Sequence, residues 1–116
     1  MKKNKPVVTI ILGTRPEAIK LAPVIKAFRE CNLINTRIIF SGQHKQMVRQ
    51  VMELFDLRID RDLDIMRQGQ SLTHITNSVL SGLSEEFHEF RPDLVLVQGD
   101  TSTAFAAALG SFYECI

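Results

Sequence analysis

The sequence predicts an α/β fold in which a doubly wound parallel sheet carries helices on its faces. Three observations predict it. First, the apolar runs Val7–Leu12, Arg37–Phe40 and Leu94–Gln98 are short and continuous, as strands buried on both faces are. Second, stretches with helical spacing of apolar residues separate them. Third, the order β-α-β-α-(β)-α-β-α is that of parallel strands joined by right-handed crossovers.

Each element has a local cause. Val7-Val8-Thr9-Ile10-Ile11-Leu12 is β-branched and breaks at Gly13. The first helix covers Arg15–Glu30 and contains Pro23, which is expected to kink or split it because proline cannot donate to the Ile19 carbonyl. The second helix, Lys45–Phe55, sets Met47, Val48, Val51, Met52 and Phe55 on one face. The segment Asp56–Gln70 is rich in Asp and Arg and reads as a solvated connection, with Leu63–Met66 as a candidate edge strand. The third helix runs from about Ser71 to Phe90, stepping through Leu72, Ile75, Val79, Leu83, Phe87 and Phe90. Arg91-Pro92 ends it, and Gly82 weakens it by up to ~1 kcal/mol. A last helix begins near Thr101–Thr103 and carries Phe105, Leu109 and Phe112.

Chemistry concentrates where strands end. Thr14 and Glu17 have the spacing of a capping box, with Pro16 in the first helical turn. Free N–H groups and the positive end of the helix dipole would then favour an anion. Gly13 lets the backbone turn, Arg15 offers a planar fork for phosphate oxygens, and Lys20 a mobile charge. The competing reading is an ordinary βα turn with solvated charges. At the end of the last strand, Asp100 could take a proton or bind a sugar hydroxyl, or could cap the helix that follows. Gln43, His44 and Gln46 follow the second strand and suit either a ligand or a polar loop. If Leu94–Gln98 lies beside Val7–Leu12, Gly99-Asp100-Thr101 faces Gly13-Thr14-Arg15 across the sheet's switch point.

Composition excludes several classes. The formal net charge of +1 gives no general pull toward nucleic acid or an anionic membrane. No apolar run is long enough to span a bilayer. The basic start Met1-Lys2-Lys3-Asn4-Lys5 precedes a run too short and strand-like for a signal peptide, so a cytoplasmic location is expected. Cys31 and Cys115 lack metal or redox spacing and read as buried or half-buried thiols. His74 and His88 read as surface or helix-packing residues, and no metal cluster or nucleophilic triad can be assembled. Neither a G-x-G-x-x-G fingerprint nor a P-loop is present, which disfavours a dinucleotide or P-loop ATP site.

Three motifs in one order, G-T-R-P-E-A-I-K-x-A-P from Gly13, G-Q-H-x-x-M from Gly42 and Q-G-D-T-[ST]-T from Gln98, resemble the non-hydrolysing UDP-N-acetylglucosamine 2-epimerases of bacteria. The resemblance runs from about Val7 onward. It implies a Rossmann-like domain that forms the N-terminal part of a GT-B-like two-domain fold, with the active site between the domains. It implies interconversion of UDP-GlcNAc and UDP-ManNAc without metal or nicotinamide cofactor, in a protein expected to be a homodimer at full length. By motif match, Arg15, Lys20, Gly13 and Thr14 would bind the nucleotide-sugar, and Asp100 would be an active-site carboxylate. Gln43, His44, Gln46 and Gln70 fall near where some members bind a second, activating nucleotide-sugar. Gly69 stands where some of those members carry Arg, and Gln98 where many relatives have His. Residues 1–116 are expected to be an incomplete N-terminal domain, inactive alone, with the C-terminal domain absent. The alternatives are a hydrolysing epimerase that releases ManNAc and a non-catalytic nucleotide-binding module.

Overall fold

The structure is a computed structural model that describes residues 4–116; the basic start Met1-Lys2-Lys3 lies outside the described residues. Four parallel strands form one sheet in the order β3-β2-β1-β4, with β1 Val7–Leu12, β2 Asn35–Phe40, β3 Arg61–Asp62 and β4 Leu94–Leu96. The helices are α1 Arg15–Glu30, α2 Lys45–Leu54, α3 Leu72–Glu89 and α4 Ser102–Tyr113.

Alternation along the strands divides the core into two layers. Val8, Ile10 and Leu12 of β1 join Ile38 and Phe40 of β2 under α1 and α2. Ile11 and Ile39 point to the other face, against Ile75, Val79, Leu83 and Phe87 of α3 and Ala106 and Ala107 of α4. Burial on both faces is why β1 is continuously apolar. Gly82, in the middle of α3, has a packing reason: a Cβ there would lie 3.3 Å from the methyl groups of Leu63.

The register places all loops that follow a strand at one edge. Val7 pairs with Asn35, and Leu12 with Phe40. β4 lies beside β1 through Val8–Leu94, Thr9–Val95 and Ile10–Leu96. Asp93 fastens the start of this pair, since its carboxylate accepts the Val7 N–H at 2.7 Å and its own N–H donates to the Val7 carbonyl at 2.9 Å. The sheet therefore changes direction of winding between β1 and β4, where ligands bind in folds of this class.

Several sequence expectations need correction. α1 runs through Pro23 without splitting; Pro23 is exposed, so the Ile19 carbonyl that loses its partner can bond water. Leu63–Met66 is not a strand. The third strand is Arg61–Asp62, and it stops because Asp62 Oδ1 accepts the Asp64 N–H at 2.8 Å while Asp64 takes a left-handed φ of 50°. Nor is the charged segment simply solvated. Asp60 accepts from the Ile38 N–H at 2.7 Å and pairs with Arg29 at 3.0 Å, joining it to β2 and α1. β4 ends at Leu96, short of Gln98, after pairing with three residues of β1. Cys31 is half-buried as expected, but Cys115 is exposed beyond the end of α4. α4 turns its small residues inward, and Phe105 and Phe112 face solvent.

Candidate functional site

Three strand-end turns meet around Gly13. A Cβ at this position would fall against the Ser41 hydroxyl, 2.6 Å from Thr103 Oγ1 and 2.8 Å from Gln43 Oε1. An L side chain there would force the Ser41, Gln43 and Thr103 side chains to move and give up the contacts they make with one another, which favours glycine. The Thr103 hydroxyl donates to Gln43 Oε1 at 2.7 Å and lies 3.1 Å from the Ser41 hydroxyl. The turns after β1, β2 and β4 are thus one packed unit.

Glu17 joins two of these turns. It is 2 % exposed, and its Oε2 accepts from the Gly13 and Thr14 N–H groups at 2.7 Å each. Its other oxygen accepts from the Thr101 hydroxyl. Thr14 is the N-cap of α1, and Glu17 reaches back to its N–H as in a capping box. The sequence expectation of free N–H groups ready for an anion is corrected here. The Gly13 and Thr14 amides are already taken by a carboxylate of the chain itself, and Pro16 has none to offer. The Arg15 N–H, first of the helix, is directed at His44 Nδ1 at 3.4 Å.

Asp100 is not the cap of α4. Thr101 is: its hydroxyl oxygen accepts the Ala104 N–H at 3.2 Å. The Asp100 carboxylate is left exposed, in an open hollow of about 390 Å³ shared with Gly99, Thr101, Ala104 and Phe105. Arg15 and Lys20 are also exposed, and among the described residues neither makes an ion pair. Asp100 is next in sequence to Thr101, and Arg15 next to Thr14, so the Glu17 bridge holds their backbones to neighbouring turns.

The four residues weighed for a second ligand lie in different settings. Gln43 is half-buried against Thr103. His44 caps α2 in a left-handed conformation, φ 46°, and its Nδ1 accepts the Arg15 N–H at 3.4 Å. Gln46 is exposed along an open groove of about 420 Å³ with Arg49, Gln50 and Glu53. Gln70 is engaged in its own turn, accepting from the Arg67 N–H at 2.5 Å and donating to the Met66 sulfur. Beside them Lys45 bridges Asp62 at 3.2 Å and Asp64 at 2.8 Å. The hydrogen bonds to Asp64 and Asp62 hold the Lys45 ammonium above the usual lysine value, and Lys45 holds Asp64 below the usual carboxylate value.

Sequence reasoning missed the joining residues. In the sequence Glu17 shows only as half of a capping box and Thr101–Thr103 only as the start of a helix, because the bonds that join them to each other and to Ser41 and Gln43 are long-range. No local signal separates the two candidate caps, since aspartate caps a helix at least as well as threonine; only the structure shows that Thr101 takes the role and leaves Asp100 free.

Among the described residues, no helix is long and apolar enough to cross a membrane. A family model described as UDP-N-acetylglucosamine 2-epimerase matches residues 26–116. The UDP-N-acetylglucosamine 2-epimerases of Neisseria meningitidis and Escherichia coli are 47 % and 45 % identical over 109 residues, covering 94 % of this chain and 29 % of theirs. A crystal structure of the Neisseria meningitidis enzyme bound to UDP-GlcNAc superposes with a TM-score of 0.87 at 47 % identity, covering 96 % of this chain and 30 % of that one. The Methanocaldococcus jannaschii UDP-GlcNAc 2-epimerase, in complex with UDP-GlcNAc and UDP, superposes with a TM-score of 0.87 at 35 % identity, covering 95 % and 30 %. The chain thus spans just under a third of the length of the relatives it matches.

Proposed function

The chain belongs to the UDP-N-acetylglucosamine 2-epimerase family of isomerases, and on that premise we propose that the rim around Gly13 faces the nucleotide-sugar in the interconversion of UDP-GlcNAc and UDP-ManNAc. In this reading the chain forms part of the N-terminal, Rossmann-like domain of a GT-B-like pair, cytoplasmic and dimeric at the length of its relatives. The observation that carries it is the convergence on Gly13 of the turns after β1 and β2 and the start of α4, next in sequence to which stand the exposed Arg15 and Asp100.

The proposed chemistry removes the proton at C2 of the sugar while the bond from C1 to the UDP oxygen breaks, leaving a glycal and UDP. UDP then adds back to C1 as a proton returns to C2 from the other face, so atoms and charge balance over the cycle. Negative charge grows on the departing diphosphate, and Arg15 and Lys20 are the residues assigned to meet it. Gly13 and Thr14 shape the turn that carries Arg15. Asp100 is assigned a proton-transfer or substrate-positioning role, since its carboxylate is left unused by the α4 cap. Gln43, His44, Gln46 and Gln70 remain the candidates for contact with a second nucleotide-sugar.

Two measurements test this. Titrating the ¹⁵N-labelled chain with UDP should shift the amides of Gly13–Lys20 and Gly99–Thr103 above all others. Incubation with UDP-GlcNAc, followed by proton NMR of the anomeric region, should show no UDP-ManNAc from the chain alone. Shifts confined to other surfaces overturn the site, and turnover by the isolated chain overturns its dependence on the rest of the relatives' length.

A further inference from the structure

Glu17 presents a problem for phosphate binding. Its carboxylate sits where the α1 dipole and two N–H groups would attract an external anion. Judged by charge alone, it competes with a diphosphate. Its placement argues for another role. It is almost wholly buried, every polar contact it makes is to a neutral donor, and those donors come from two different turns. Gly99 lies beside it: a Cβ there would meet the Glu17 side chain at 3.8 Å, an ordinary contact.

We propose that Glu17 is a positioning residue: it locks the turn bearing Arg15 to the turn bearing Asp100, so that the cationic and acidic sides of the rim keep a fixed separation. The proposal rests on the nucleotide-sugar reading of that rim. Neutral donors are the important detail. A carboxylate satisfied by N–H and hydroxyl groups is stabilised without consuming Arg15 or Lys20, which stay available to a ligand. The helix end then acts as an anchor for the turn, and the phosphate contacts pass to the side chains.

The test compares UDP with uridine, which lacks the diphosphate, by titration calorimetry on the full chain. Glu17→Ala and Glu17→Asp, the second keeping the charge but not the reach, are expected to lose UDP affinity by roughly tenfold. Uridine affinity should be unchanged. Glu17→Gln, which keeps the reach and one acceptor oxygen, should retain more UDP affinity than Glu17→Asp. UDP binding by Glu17→Ala equal to or tighter than that of the unmodified chain overturns the proposal, because the carboxylate would then be only a rival anion. Equal losses for UDP and uridine overturn it too, because the role would be general packing.

Where Glu17→Ala fails to fold, Thr101→Val removes the bond between turns together with the α4 cap, Thr101→Ser restores both, and Thr101→Asn, which caps a helix but does not reproduce the hydroxyl's reach to Glu17, separates the two. UDP affinity lost in the first and regained in the second supports positioning; equal affinity in both overturns it. An unmodified chain that does not distinguish UDP from uridine overturns the nucleotide reading and the positioning role together. Unchanged variants of a chain that does distinguish them overturn the positioning role alone.

Discussion

Two buried glutamates, one near each end of the sheet, are satisfied in opposite ways. Glu17 lies at the carboxyl ends of the strands and accepts only from neutral donors, two amides and a hydroxyl. Glu86 lies near the C-terminal end of α3 and is fully buried. Its oxygens accept from Arg37 at 2.7 and 3.3 Å and from Arg61 at 3.5 Å. The Arg37 guanidinium also stacks over the Phe90 ring, 4.1 Å from its centre. The difference teaches how one residue type serves two ends of a fold. Where cations neutralise the carboxylate, they are used up in holding α3 to β2. Where neutral groups do so, Arg15 and Lys20 stay exposed and outside any ion pair among the described residues.

Removing Glu86 should therefore break structure and leave the rim alone. Glu86→Ala strands Arg37 with a mostly buried charge and is expected to cost about 3 kcal/mol in urea-induced unfolding. UDP-induced amide shifts at Gly13–Lys20 should persist under conditions where the variant remains folded. If they vanish with the fold intact, the two ends are coupled and the contrast fails.

At the rim the sharper probe is Gly13→Ala. The added Cβ meets Ser41, Thr103 and Gln43, and overpacking of this kind is expected to cost about 1–3 kcal/mol. Because the crowded side chains belong to the turn after β2 and the start of α4, which meet the Gly13 turn, UDP binding should weaken along with stability, unlike in Glu86→Ala. Thermal melts and UDP titration on both variants give the comparison directly.

How much of this was legible depended on whether the cause was local. β1 and α1 were readable to the residue because a β-branched run, a glycine and a Thr-x-x-Glu box all act within a few positions. The meeting of the β1 and β4 turns was legible only on condition that β4 lies beside β1, a neighbourhood that nothing local in the chain sets. Glu17 as a bridge to Thr101 was not legible, because that contact spans 84 positions. The same holds for Glu86, whose partner Arg37 is 49 positions away; α3 showed only its apolar stripe. The short third strand escaped because an Asx turn at Asp62–Asp64 overrode the apolar pattern of Leu63–Met66.

Arg15→Ala and Lys20→Ala probe the free cations. Both residues are exposed and outside any ion pair among the described residues, so each substitution should change stability by no more than about 0.5 kcal/mol. UDP affinity should nonetheless fall in both, and uridine affinity in neither. This is the inverse of the pattern expected for Glu86→Ala. A loss of stability in Arg15→Ala comparable to that of Glu86→Ala would erase the distinction between the two ends.

The smallest effect belongs to the exposed Lys45–Asp62–Asp64 bridge, which resembles the Glu86 end in pairing opposite charges but lies in solvent. Asp64 titrates below its ordinary 3.8 because Lys45 donates to it. Its contribution to stability is therefore fully present above that value and is lost as pH falls through the lower, folded-state value. Lys45 titrates above 10.5, chiefly through Asp64, so its contribution is present below 10.5 and is lost as pH rises through the folded-state value. Melting the unmodified chain and Asp64→Asn side by side should show a small gap at neutral pH that closes at both extremes. High salt should narrow the gap as well, since exposed pairs are screened. A gap as wide as that of Glu86→Ala at neutral pH would mean that solvent does not weaken ion pairing here, and would undo the assumption that separates the buried network from this surface one.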